Sequence, residues 1–463
     1  MSETLIRDTS HASAGELVEA LVRRDVSALE LFDAAVERIE DRDGPINAVV
    51  IHDFDRAREA ALAADVALAR GERRPLLGLP MTVKESNNVA GLATTWGFEE
   101  AKGFKAAVDS VGVQRLKTAG AVILGKTNIP VSLADWQSVN PVYGRTSNPW
   151  DLTRSPGGSS GGAAAALASG MVSLEFGSDI GGSIRVPAAF CGVYGHKPSY
   201  NLVPQRGHAP PGFDGGDTPI AVLGPLATTA EDLQLALDVL AGPVGDEATG
   251  YLLDLPVPRH TELADYRVLI LDSHPMAGLD KEIKQALADL AGHLDRQGAK
   301  VARGSDLLPD LAKSHETYMG ILGATMSRGG PPRPGAISAH AWMDLLDAQT
   351  LVRRQWAELF KTFDVVLAPV FGTTAFPHVE EADPAKRTLT INGKPTPYFD
   401  QLAWAGMATL GHLPATAAPM GRGASGLPIG VQIIGPYLED RMTIDFARLL
   451  EREFGRPPRA GDA

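Results

Sequence analysis

Three short stretches of this chain carry residue types that can do chemistry. The run "SPGGSSGGAAAALASG", Ser155 to Gly170, packs glycine and serine and then turns alanine-rich. Glycine–serine runs are most often flexible linkers, so any catalytic reading must displace that default. Within it, "GGSSG", Gly157 to Gly161, matches the G-x-S-x-G nucleophile elbow. An elbow needs a strand before it, a helix after it, and later an acid and a histidine. The alanine run fits a helix, but the preceding "NPWDLTRSP" is a turn-rich loop. Eleven histidines leave a triad arithmetically open, and none sits in an obviously catalytic setting. A second match, "GAVILGKT", Gly120 to Thr127, has the phosphate-loop spacing. A phosphate loop needs an irregular stretch whose N–H groups curl around phosphate, between a strand and a helix. Ala121 to Leu124 look like the strand itself, and Pro130 disfavours a long helix beyond it.

The third stretch is "GSDIGGSIRVPAAFCG", Gly177 to Gly192. Gly181 and Gly182 directly precede Ser183. Two glycines let the backbone turn tightly and expose consecutive N–H groups. Such groups can hold a developing oxyanion beside an attacking serine. Taken alone, the same residues also read as an ordinary tight turn.

Taken together, Lys84 in "VKES", the serine pair in "SPGGSSGGAAAA" and the run "SDIGGSIRVPAAFCGVYGHKP" resemble the amidase signature family. "GKTNIP" and "SNPW" add to the match, which is dense over residues 20–240 and returns at "LPIGVQIIGP". The segment "GKTNIPVSLADWQSVNPVYGRTSNPW" is most similar to the fatty acid amide hydrolase and aryl acylamidase branch. The resemblance implies Ser183 as nucleophile, Ser159 as a bridging serine after a cis peptide bond, and Lys84 as base. It implies an oxyanion hole from the N–H groups of Ile180, Gly181, Gly182 and Ser183. It implies that Asp179 and Arg185 brace the loop, that Leu133 contacts substrate, and that the fold is one α/β/α unit around a large mixed sheet. Ser160 either hydrogen-bonds within the site or caps the next helix. Glu85 and Asn88 stand where many relatives carry aspartate or another acid.

The chemistry is coherent without the family. A serine hydroxyl is a weak nucleophile and needs a base, which lysine can supply when neutral. Lowering lysine from about 10.4 to about 8 takes roughly 3 kcal/mol. Burial among glycine, alanine and serine, with no salt-bridging acid, is the expected source. Lone Cys191 reads as core packing, because nothing near it activates a thiolate.

The elements that must position these residues are partly legible. Residues 27–40 read as a helix, with a capping box at Ser27 and Glu30. Residues 53–70 read as a second helix closed by Gly71, and residues 109–119 as a third. "LGLPMTV", "AVILG", "DVVLAPV" and "PIGVQIIG" read as short buried strands, and "MVSLEFGSD" as strand then loop. Helices alternating with apolar strands predict an α/β fold with a covered sheet. The expected organisation is a single domain over residues 1–463: a helical region 1–75, a catalytic core 76–240, and the rest of the sheet with covering helices over 241–463.

The formal net charge of −13 disfavours nucleic acid and anionic membrane as partners. The amino terminus lacks a signal-peptide core, no stretch reaches a membrane span, and one cysteine precludes an internal disulfide. A cytoplasmic enzyme is expected, without cofactor or metal, with a homodimer left open. The expected substrate is an amide, anilide, carbamate or ester with an apolar side. The alternatives are an inactive amidase-like binding protein and a glutaminase-type amidotransferase subunit. Finally, "NLVPQRGHAPPGFDGGD", Asn201 to Asp217, reads either as a surface connection or as a lid with Phe213 against substrate.

Overall fold

A computed structural model of the chain describes residues 9–213, 215–328 and 336–461. Eleven strands form one mixed sheet. In chain order they are β1 Val49–His52, β2 Pro80–Lys84, β3 Val122–Thr127, β4 Leu174–Asp179, β5 Tyr194–Lys197, β6 Val222–Ala227, β7 Arg267–Ile270, β8 Lys300–Ala302, β9 Val365–Pro369, β10 Ala415–Arg422 and β11 Pro428–Ile434. Their order across the sheet is β1-β3-β2-β4-β6-β5-β10-β11-β9-β7-β8. β2 lies parallel to both β3 and β4, with Lys84 beside Thr127 and Thr82 beside Glu175. Every residue of β2, β3 and β4 is buried, as their apolar runs require of strands covered on both faces.

The four apolar runs expected as strands are β2, β3, β9 and β11. "MVSLEFGSD" differs from expectation: β4 continues through Asp179, and the loop begins only at Ile180. The first expected helix is Ala28–Ile46, with Ser27 and Glu30 in a reciprocal capping box. It runs six residues past its expected end, through Gly44 and Pro45. Asp43 accounts for this, because its buried carboxylate accepts from the N–H groups of Ala48 and Val49 at 2.6 and 3.0 Å, steering the chain into β1. The next two helices are Phe54–Ala69 and Val111–Thr118, the latter capped by Ser110.

Side chains alternate across a strand, so neighbours in β4 face different layers. Phe176 presses on Gly112 of the Val111–Thr118 helix, where a Cβ would stand 2.4 Å from the ring. Glu175 and Gly177 face the opposite layer, where Ser160 leads into the helix Gly161–Ala168. That helix is wholly buried. A Cβ on Gly161 would lie 2.4 Å from Ser138 Oγ, and one on Gly162 would lie 2.4 Å from the Asn128 nitrogen. Glycine is therefore what lets the helix seat this close to the sheet.

The phosphate-loop match is strand. Lys126 is buried in β3 and donates to the Ala93 carbonyl and to Thr94 Oγ1, leaving no cradle for a nucleotide.

Candidate active site

β2 ends on Lys84, whose side chain is fully buried. Its Nζ donates to Ser159 Oγ at 2.6 Å, to Ser178 Oγ at 2.9 Å and to the Ser178 carbonyl at 3.4 Å. Among the described residues no carboxylate makes an ion pair with it. Burial pushes the amine down to about 7, against the opposing pull of the Asp179 and Glu175 charges. A lysine held this way can carry or give up a proton near neutral pH.

The serine run is buried from Ser155 to Ala168, so it is no linker. Ser155 Oγ donates to the Trp136 carbonyl at 2.7 Å and accepts from the Gly157 N–H at 3.0 Å. The Gly158–Ser159 peptide is cis. The Ser160 N–H donates to the Ser183 carbonyl at 3.1 Å, tying the two serine loops together. Ser160 Oγ makes no helix cap; it bonds to the Ser178 carbonyl at 3.3 Å. The residues before Ser159 form a loop, and its partner is a lysine, so the α/β-hydrolase elbow is absent here.

The second serine loop is braced from outside. Asp179 and Arg185 form a buried bidentate pair, with contacts of 3.1 and 2.9 Å. Burial alone would raise the Asp179 carboxyl, but Arg185 outweighs it and holds it low. Arg185 also reaches Gln432 Oε1, Thr409 Oγ1 and the Ala405 carbonyl, so it satisfies its donors across three elements. The Tyr318 hydroxyl donates to the Ile180 carbonyl, and Trp136 Nε1 to the Gly181 carbonyl, both at 2.9 Å. Turning these carbonyls outward fixes the loop's N–H directions. One expected oxyanion donor differs: the Gly182 N–H, at φ +91°, is taken by Asp179 Oδ1 at 2.9 Å. The N–H groups of Gly181 and Ser183 have no acceptor among the described residues, and Ile180 lines the cavity.

Ser159, Ser178 and Ser183 open on a cavity of about 120 Å³. Trp96, Leu133, Pro210, Phe213, Ala221 and Met326 make much of its wall apolar. Ser132 and Leu133 both adopt left-handed backbone angles, φ +55° and +59°, which is uncommon outside glycine and presents the turn to the cavity. Phe213 stands at the rim under the Arg328 guanidinium, 4.7 Å from its ring centre.

The segment 201–217 divides in two. Its stem is pinned: Arg206 and Gly207 accept backbone bonds from Val111 and Asn88, and buried His208 bonds Ser86 Oγ at 2.9 Å. Burial, then Lys84, keeps the His208 imidazole neutral, at about 3. The part from Ala209 onward brings Pro210 and Phe213 to the cavity, and Asp214 lies outside the described residues. Glu85 anchors the wall, accepting from Thr95 and Trp96 N–H groups and from the Tyr143 hydroxyl. Cys191 is buried, and burial pushes its thiol well up.

Sequence reasoning missed Ser178, Trp136, His208, Tyr318 and Arg328. Ser178 sits inside a quoted motif and was readable as a polar residue one place before Asp179. Tyr318 lies 138 residues from its partner Ile180, and no local pattern signals that contact.

The Amidase family model matches residues 30–329 and 334–444. The chain belongs to the amidase family, an enzyme family acting on C–N bonds. It is 33% identical, over 94% of both chains, to a glutamyl-tRNA(Gln) amidotransferase subunit of Anaeromyxobacter sp. (strain K). A protein solved in work on a vestigial complex and the origins of an s-triazine catabolic enzyme superposes with TM-score 0.83. That pair is 29% identical and covers 97% of this chain and 100% of the other. A bacterial aryl acylamidase superposes with TM-score 0.79 at 25% identity, covering 96% and 99%. The large mixed-sheet α/β fold is that of the family. The branch is not singled out, because amidotransferase subunits stand among the relatives beside the aryl acylamidase.

Proposed function

We propose that this protein is a serine hydrolase of the amidase signature type. It cleaves the C–N bond of amides and anilides bearing an apolar or aryl group, with carbamates and esters as further substrates. The observation that carries this is the 2.6 Å bond to Ser159 from a buried Lys84 that makes no ion pair among the described residues, in a cavity shared with Ser183. Neutral Lys84 draws a proton from Ser159, which draws one from Ser183 as its Oγ attacks the carbonyl carbon. The N–H groups of Gly181 and Ser183, with Ile180 beside them, take the oxyanion. The proton returns through Ser159 to the departing amine, leaving an acyl-Ser183. Water repeats the sequence and releases the acid.

The mostly apolar wall formed by Trp96, Leu133, Phe213 and Met326 supports an apolar acyl or aryl group. A glutaminase-type role within an amidotransferase is the second reading, favoured by the relatives of that name. Against it, the one carboxylate lining the cavity among the described residues, Asp179, is already paired with Arg185 and so is not free for a substrate ammonium. A non-catalytic binding role leaves the Lys84–Ser159 contact without purpose. We read the chain as one catalytic domain, working in the cytoplasm without cofactor. Among the described residues no helix is long and apolar enough to cross a membrane.

The test is a panel of chromogenic anilides, esters and carbamates beside glutamine with ammonia detection. Turnover of the aryl substrates is expected. Turnover confined to glutamine would replace this reading with the amidotransferase one.

A further inference from the structure

The mechanism leaves one buried acid unused. Glu175 is 1% exposed, in β4, on the sheet face that carries Lys84. The register shows where its side chain goes. Thr82 of β2 sits beside Glu175, and two residues on, Lys84 sits beside Thr127 of β3. Glu175 Oε1 accepts from Thr127 Oγ1 at 2.8 Å. To reach β3 from β4, the side chain must cross β2 diagonally, between Thr82 and the stem of Lys84. Gly177, the next residue of β4 on this face, has no side chain to obstruct it. The other oxygen, Oε2, accepts from the Phe176 N–H at 2.7 Å.

The remaining charges nearby are accounted for. Asp179 faces Arg185 in a closed pair, and the nearby Lys197 charge also bears on Asp179. Lys126, next to Thr127 in β3, turns to the opposite face and bonds Ala93 and Thr94. The Gly161–Ala168 helix, which covers β2, β3 and β4, holds only glycine, alanine and leucine. Among the described residues no basic group makes an ion pair with Glu175. Lys197 of β5 shares this face, but its Nζ bonds the Pro198 and Leu413 carbonyls, and the His208 imidazole near Lys84 is held neutral by burial. Among the described residues of β2, β3 and β4, Lys84 and Glu175 are thus the ionisable groups on this face without an ion pair.

We infer that Glu175 is a positioning residue for the base, its carboxylate acting on the Lys84 ammonium through space and so setting the pH at which the amine becomes free. When Glu175 is a carboxylate, it holds the proton on Lys84 as an ammonium. When Glu175 carries a proton, that attraction is gone and Lys84 gives up its own proton more readily. Burial raises the Glu175 carboxyl and lowers the Lys84 amine, which brings the two into the same range, so the charge of each bears on the titration of the other. Removing the carboxylate removes an attraction for the ammonium, so Lys84 should lose its proton at lower pH.

This inference rests on the serine–lysine reading, and the test separates the two. The rate of Ser183 labelling by a fluorophosphonate is measured against pH in the folded full chain, in wild type, Glu175→Gln and Thr127→Val. Glu175→Gln keeps the shape of the side chain. It is expected to move the midpoint of the rising limb down by about one pH unit, with the plateau rate retained. Thr127→Val removes the hydroxyl that favours the carboxylate form, so a smaller shift in the same direction is expected. It also serves if Glu175→Gln fails to fold. Unchanged midpoints in the folded variants would overturn the inference while leaving Ser183 as nucleophile. No labelling of Ser183 in wild type would instead overturn the reading beneath it.

Discussion

Two fully buried lysines stand on neighbouring parallel strands, Lys84 ending β2 and Lys126 near the end of β3. Burial lowers both, to about 7 and about 8. Both lie in sequence motifs with a catalytic look. Their partners separate them. Lys126 ends against the Ala93 carbonyl and Thr94 Oγ1, neither of which lines the serine cavity. Lys84 ends against two serine hydroxyls that open on one. A lowered lysine is therefore a base only where its neighbour can pass it a proton from a reacting group. Burial makes the proton available to exchange; geometry decides whether anything can use it.

The largest effect should come from breaking the serine relay. Ser183→Ala is expected to abolish turnover and fluorophosphonate labelling. Labelling that persisted there but vanished in Ser159→Ala would move the nucleophile to the first serine loop. Lys84→Ala or Ser159→Ala should each lower kcat by about 10³-fold or more, because relay members act as a unit. Ser160→Ala, which loses only long bonds to the Ser178 carbonyl and N–H, should cost less.

The next effect sharpens the role of Lys84. The base works as the neutral amine, so activity should rise with pH through about 7 and then level off. Well below that range, kcat/KM should fall roughly tenfold per pH unit. A flat profile with chemistry rate-limiting would count against a lysine base.

Smaller still is the effect of loosening the loop behind Ser183. Tyr318→Phe deletes the donor to the Ile180 carbonyl and should lower kcat by about tenfold or less, with KM little changed. At the rim, Phe213→Ala should change kcat/KM for bulky aryl substrates by several-fold more than for a small acyl ester, on the order of 1 kcal/mol. Equal changes for both would place the residues after Ala209 outside substrate selection.

Lys126→Met should have the least effect on rate and so closes the comparison. kcat/KM should stay near wild type, while the unpaired Ala93 carbonyl costs about 1–3 kcal/mol in denaturant unfolding. A loss of rate as large as that of Lys84→Ala would show that burial, and not the serine partner, makes the base.

Local patterns in the sequence carried much of this protein. The capping box at Ser27, the apolar runs of β2, β3, β9 and β11, and the glycine–serine spacing each depend on contacts between residues close in the chain. Those contacts are written in order along it. The rejection of "GAVILGKT" as a phosphate loop belongs here too, because four consecutive apolar residues favour a strand wherever they are placed. β1, β5, β6, β7, β8 and β10 were not legible, since their short segments become strands only by pairing with neighbours far away in the chain. The same holds within the site. Tyr318 and Trp136 act on Ile180 and Gly181 across long sequence separations, and Asp179 captures the Gly182 N–H only because Arg185 holds its carboxylate in place. Glu175 is one more apolar-strand interruption in the sequence. Only the register that lays β2 between β4 and β3 draws its carboxyl past Lys84, because proximity in a sheet is set by pairing and not by chain order.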